Sequence, residues 1–186
     1  MMTEQEYFEK GITLKSYMAQ MESNQQKSYS IYEKFELPED PDFMALLKDK
    51  KPHILVITED WCGDAMMNNA ILRKITDAAE LEVRCIYRDE NLELMDRYLT
   101  NGGRSIPKYI ILSEEGHVLA DWGPRAPKVQ RFVDEKKSVL PEKDDPQYEL
   151  HIKTVIGEIS DGFVYNDDFW QIVYEDLRQV FEKALK

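Results

Sequence analysis

The spacing of apolar side chains changes character along the chain and divides it into three zones. In residues 3–50 the apolar positions Tyr7, Phe8, Ile12, Leu14, Tyr17, Met18 and Met21 recur at mixed three- and four-residue steps, which predicts one or two helices. Pro38 and Pro41 interrupt that pattern, and "DFMALLKDK" then reads as a short helix. Residues 51–136 alternate between strand-like and helix-like stretches. "HILVIT" (53–58) reads as a short buried strand. Residues 62–79 follow helical spacing, with Met67, Ile71, Leu72 and Ile75 on one stripe. "LEVRCIY" (81–87) reads as a strand, and "NLELMDRYL" (91–99) as a second helix ended by Asn101-Gly102-Gly103. "KYIILS" (108–113), the turn Glu114-Glu115-Gly116 and "HVLADW" (117–122) read as a β-hairpin. Pro127 suits the first turn of a helix running to about residue 136.

The third zone, residues 137–186, opens with the charged, proline-punctuated linker "SVLPEKDDPQ". It closes with a stripe of Phe169, Ile172, Val173, Leu177, Val180 and Phe181 that predicts a docked helix, with Asp167 or Asp168 as its N-cap. The middle zone therefore runs β-α-β-α-β-β-α. Helices between the first strands require parallel pairing, and the hairpin adds an antiparallel edge. The expected architecture is α/β, a central mixed sheet flanked by helices. Its core covers about 41–136, a helical N-terminal extension covers 1–40, and the linker and C-terminal helix of 137–186 complete a single domain.

Composition narrows the function classes. Of 186 residues, 42% are hydrophobic and 32% charged, as in ordinary globular chains. The net charge of −12 disfavours nucleic acid and anionic membrane surfaces, because no basic stripe offsets phosphate repulsion. No apolar run reaches about 18 residues, so no transmembrane span is expected. The start "MMTEQEYFEK" is acidic where a secretory signal is basic and then apolar, which points to a cytoplasmic protein. Two cysteines and three scattered histidines give neither a disulfide framework nor a metal-ligand spacing, so no metal and no resident cofactor are expected.

The chemistry concentrates at "WCGDA", Trp61 to Ala65, where the strand ending near Thr58 hands over to the helix starting near Cys62. A thiol there lies beside unsatisfied backbone N–H groups and the positive end of the helix dipole, both of which favour thiolate. Gly63 admits a close substrate, and Trp61 shields one side of the sulfur while staying partly exposed. Asp64 stabilises the first helical turn but repels negative charge on Cys62. The net expectation is a depressed thiol pKa, less depressed than a neutral residue at 64 allows.

These residues carry a resemblance. "ILVITEDWCGDA", followed about 45 residues later by "GGRSIPKYIIL" and a hairpin, resembles thioredoxin, whose motif is Trp-Cys-Gly-Pro-Cys and whose second hallmark is a cis-proline before a strand. The resemblance covers residues 41–136 and implies the thioredoxin fold. It gives Pro107 the place beside the nucleophile and Ile106 the backbone that pairs with an extended substrate. Three departures stand out: Ala65 replaces the resolving cysteine, Asp64 replaces proline, and Val56 falls where the family has a buried aspartate. A dithiol cycle is therefore not expected. Cys85 falls where the family often has a lysine. It reads as a buried thiol serving as a small hydrophobe, since bridging to Cys62 requires Cα atoms within about 7 Å. Arg104 and Arg125, on loops that the fold places beside the cysteine, can hold the carboxylate of a low-molecular-weight thiol or an acidic peptide, or else stand as solvated surface arginines.

Two functions follow. One is a monothiol thiol–disulfide oxidoreductase, as in glutaredoxin-like and bacilliredoxin-like proteins with one active cysteine. Cys62 acts on a mixed disulfide of a client protein, and a low-molecular-weight thiol serves as co-substrate. The other is a non-catalytic binding module that uses the proline groove and the terminal extensions. A third, oxidant sensing through a sulfenic acid at Cys62, needs only the one thiol.

Overall fold

The computed structural model describes residues 1–186. Nine helices and five strands follow in the order α1 (Glu4–Lys10), β1 (Ile12–Thr13), α2 (Leu14–Ala19), α3 (Gln25–Lys34), α4 (Pro41–Lys50), β2 (His53–Thr58), α5 (Gly63–Ala79), β3 (Val83–Tyr87), α6 (Leu92–Met95), β4 (Lys108–Leu112), β5 (Val118–Trp122), α7 (Pro127–Lys137), α8 (Tyr148–Tyr165) and α9 (Asp167–Leu185). The strands form one mixed sheet in the order β1-β3-β2-β4-β5. Only β2 and β3 pair in parallel, and the other neighbours are antiparallel.

β2 is the centre of this sheet, and its five residues from Ile54 to Thr58 are all buried. A strand covered on both faces reads as a continuous apolar run. Period-two alternation sends its side chains into two separate layers. Ile54 and Val56 join a large cluster with α2 to α5 and α7 to α9, whereas Leu55 and Ile57 join a smaller one with Tyr7, Phe8, Leu94 and Met95. No helix is long and apolar enough to cross a membrane.

The structure corrects the sequence reading at four places. The N-terminal segment is not purely a helical extension: Ile12 and Thr13 form the edge strand β1, paired with Cys85 and Arg84 of β3. Two residues are too short to show a period. The helix expected over 91–99 shrinks to the single turn of α6, preceded by a 3-10 turn at Arg88–Glu90. α8 occupies much of the segment left between linker and final helix. Its Ile152, Thr154, Val155 and Ile156, with Gly157 and Gly162, lower helix propensity, and burial of Val155, Ile159 and Phe163 overrides that. Finally, the N-cap of α9 is Asn166, whose side chain accepts from the Asp168 N–H, so Asp167 and Asp168 are first-turn acids.

α9 is part of the core. Phe169, Val173, Leu177 and Phe181 are buried along it, while Ile172 and Val180 lie partly buried at the margin. Asp40 at the start of α4 takes hydrogen bonds from Tyr174 and Arg178 of α9, and Phe43 packs on Phe181 with ring centroids 6.2 Å apart. Phe181→Ala should therefore lower stability by about 3–5 kcal/mol. Urea unfolding would show this as a lower midpoint at unchanged slope. A loss below about 1 kcal/mol would mean that α9 is a detachable appendage.

Candidate active site at the start of α5

The chain leaves β2 at Thr58 and reaches α5 through Glu59-Asp60-Trp61, and both carboxylates on the way anchor backbone. Asp60 accepts from the N–H groups of Glu22 (2.8 Å) and Ser23 (3.3 Å). Glu59 accepts from the N–H of Asp89 at 3.0 Å. Cys62 is then the N-cap residue of α5, with extended backbone (φ −81°, ψ 122°).

The Cys62 thiol is only 9% exposed at residue level and donates to the carbonyl oxygen of Ile106 at 3.4 Å. The Ile106–Pro107 peptide bond is cis, as is Gly123–Pro124. Gly123 has φ +123°, and a Cβ there would collide with the Pro107 carbonyl, so the loop after β5 closes directly on the proline. Gly63, by contrast, faces open space: a Cβ there would meet no atom. Trp61 is 53% exposed, with the Arg88 guanidinium 5.1 Å above its ring.

The electrostatics reverse the sequence expectation for this thiol. Its pKa is pushed up to about 11, first by burial and then by the Asp64 carboxylate. The N–H groups of Ala65 and Asp64 and the charge of Arg125 work in the opposite direction and are outweighed. The helix N-terminus is present as expected; the missing quantity was desolvation, which penalises the thiolate.

Asp64 is itself buried. It receives a two-pronged ion pair from Arg125, Nε to Oδ1 at 2.7 Å and Nη2 to Oδ2 at 2.8 Å. Burial raises the Asp64 pKa, and Arg125 opposes that rise. The remaining Arg125 nitrogen, Nη1, donates to Gln130 at 2.9 Å. Arg104 is likewise paired in two-pronged fashion, with Asp96, at 2.7 and 2.9 Å. Arg125 thus pairs with Asp64 two residues after Cys62, and Arg104 stands two residues before Ile106; neither has an unpaired fork. In this structure both forks hold a carboxylate of the chain itself.

Ala65 lies buried in the same small cluster as Cys62 and Ile106. Cys85 stands in register with Val56 on β2, and both belong to the larger cluster on the opposite face. The two thiols therefore occupy different layers, and complete burial drives the Cys85 pKa far upward. No group of three or more His, Cys, Asp and Glu side chains converges as a metal set would.

Sequence reasoning missed a buried polar chain behind the thiol. Tyr17 and Thr58 share a hydrogen bond at 3.2 Å, Asn69 donates to Thr58 at 3.1 Å, and Tyr109 donates to Asn69 at 2.7 Å. Asn68 donates to the Pro124 carbonyl at 2.8 Å. The available signal was the pair Asn68-Asn69 inside an otherwise apolar helical run, since buried amides require partners.

A family model described as thioredoxin matches residues 11–137. No curated protein matches the chain. Among solved structures, the fold is similar to a protein of unknown function from Pseudomonas aeruginosa, at 19% identity and a TM-score of 0.61, covering 94% of this chain and 99% of that one. It is also similar to an HIV epitope-scaffold, at 18% identity and a TM-score of 0.59, again covering 94% of this chain and 99% of that one. At such identity the likeness concerns the fold alone.

The charge arrangement predicts the titration of Cys62. Its iodoacetamide alkylation rate, with Cys62→Ser as blank, should climb about tenfold per pH unit from pH 7 to pH 10 without levelling. Asp64→Asn removes the neighbouring negative charge and leaves Arg125 in place, so the midpoint should fall by about one pH unit. A wild-type plateau already reached at about pH 8.5, the free-cysteine range, would overturn this account.

Proposed function

The chain belongs to the thioredoxin family, and from that premise we propose that its groove receives an extended peptide segment and that Cys62 exchanges, as a single thiol, with a disulfide the segment carries. The observation that supports this most directly is the juxtaposition at Ile106. The Cys62 sulfur lies against the Ile106 carbonyl, while the Ile106 N–H makes no hydrogen bond within the chain. A strand-pairing donor and a thiol thus meet at one residue, which is what delivery of a disulfide on an extended backbone requires.

The cycle needs two thiols, of which the chain supplies one. The Cys62 thiolate attacks a sulfur of the client disulfide; a new S–S bond forms and the other sulfur leaves as thiolate. With Ala65 in the resolving position, an external thiol must attack the mixed disulfide and release Cys62. With its pKa pushed up to about 11 by burial and Asp64, the thiol carries little thiolate at neutral pH, so exchange is base-accelerated.

Peptide clients fit the groove better than carboxylated small thiols. Asp64 and Asp96 occupy the forks of Arg125 and Arg104. The cleft beside the site, about 480 Å³, is lined by Glu22, Glu59, Asp60, Asp89 and Glu90. That lining repels an anionic co-substrate.

One observation favours a second reading, in which the groove binds peptide without chemistry: the resting thiol is protonated, buried and already hydrogen-bonded. Intact-protein mass spectrometry distinguishes the two. After incubation at pH 9 with a peptide mixed disulfide, wild type should gain one peptide mass, reversible by excess thiol, and Cys62→Ser should gain none. Unmodified wild type would leave binding alone as the function of the groove.

A further inference from the structure

Two backbone acceptors just before Pro107 are occupied by side chains of the chain itself. The Ile106 carbonyl takes the Cys62 S–H. The Arg104 carbonyl, two residues earlier, takes Arg88 Nη1 at 3.1 Å. Arg88 is held there from two sides: its guanidinium lies 5.1 Å above the Trp61 ring, and its Nε donates to Asp89 at 2.9 Å. Its side chain is only 21% exposed.

These two occupants differ in how they let go. The Cys62 donor disappears whenever the thiol ionises or forms a disulfide, because the sulfur then carries no proton. The Arg88 bond comes from a permanently charged donor and is the stronger type. No step of the exchange removes it. An extended segment that pairs with the backbone on this side therefore still meets Arg88 after Cys62 has reacted.

We propose that Arg88 is a specificity-determining residue of this groove: by holding the Arg104 carbonyl and covering Trp61, it slows extended peptide disulfides while leaving small disulfides unhindered. A small disulfide needs only the sulfur, and the neighbouring Gly63 adds no side chain to its path. A peptide disulfide needs the backbone as well, and it must first displace the guanidinium. The inference rests on the exchange reading above.

The test compares two chromogenic probes that release the same aromatic thiolate. One is a small symmetric aromatic disulfide. The other is a capped neutral peptide whose central cysteine is joined to the same aromatic thiol. In both, Cys62 attacks one sulfur, a disulfide to Cys62 forms, and the aromatic thiolate leaves. The readout is the ratio of the two rates. Any effect of Arg88 on Cys62 ionisation enters both rates alike and cancels.

Arg88→Met keeps a long side chain over Trp61 but has no donor. It should raise the peptide rate relative to the small-probe rate by about tenfold, the scale of one charged hydrogen bond. Arg88→Lys keeps a cationic donor and should remain close to wild type. An unchanged ratio in Arg88→Met, or equal acceleration of both probes, would overturn the role of Arg88 while leaving exchange at Cys62 intact. No reaction with either probe, in wild type and in both variants, would overturn the exchange reading and this inference together.

Discussion

The buried pair between Asp64 and Arg125 is the interaction around which the site is arranged. It joins the first turn of α5 to the loop after β5, the same loop whose Gly123 closes on Pro107. Both side chains are mostly withdrawn from water, at 11% and 18% exposure. Two such charges gain little from each other once desolvation is counted, but removing one strands the other at a cost of about 3–5 kcal/mol. The pair is therefore better understood as a constraint on position than as a source of stability. It fixes the N-cap of α5 against the proline loop and places a carboxylate beside Cys62. The geometry that holds the thiol in place is also the geometry that opposes its ionisation.

The absent dithiol chemistry has a counterpart in the packing. In the family a second thiol and a buried aspartate share the space beneath the nucleophile. Here Ala65 packs in the small cluster with Cys62 and Val56 in the larger cluster on the other face, and both positions are apolar. One buried group of polar side chains is neutral and internally paired: Tyr17, Thr58, Asn69 and Tyr109 exchange hydrogen bonds only among themselves. A closed neutral network avoids the desolvation cost that a lone carboxylate would incur at this depth. It also ties α2 to the end of β2, the second turn of α5 and β4, the last two being the elements that directly follow Cys62 and Pro107.

How much was legible in the sequence depended on whether a feature was local. β2 to β5 could be read because period and flanking turns are local properties, and each forms close to its expected place. The contact of Cys62 with the Ile106 carbonyl joins two motifs that both stand out locally in the sequence. β1 could not be read, because two residues have no period; it exists through its pairing with Cys85 and Arg84. α8 could not be read either, because its β-branched and glycine residues argue locally against the helix that tertiary burial imposes. At the site, the sequence showed two arginines and their charge but not Asp64 and Asp96 filling them. It likewise showed a helix N-terminus at Cys62 but not the burial that outweighs it.

Under the exchange reading, the high pKa of Cys62 acts on both halves of the cycle. Before reaction it limits the thiolate available for attack. After reaction Cys62 must depart as a thiolate from the mixed disulfide, and a thiol of high pKa is a poor leaving group. Both effects slow the cycle on that reading and lengthen the life of a mixed disulfide at Cys62. Loss of the S–H also frees the Ile106 carbonyl for pairing with the attached segment, so the captured state gains a backbone hydrogen bond that the free thiol denies it. The same Ala65 that removes the internal resolver removes the only nearby route to rapid release. On that reading the site captures a segment and holds it until a second thiol arrives, rather than turning over rapidly. That places monothiol exchange and peptide binding on one continuum, with the lifetime of the Cys62 disulfide as the quantity that separates them.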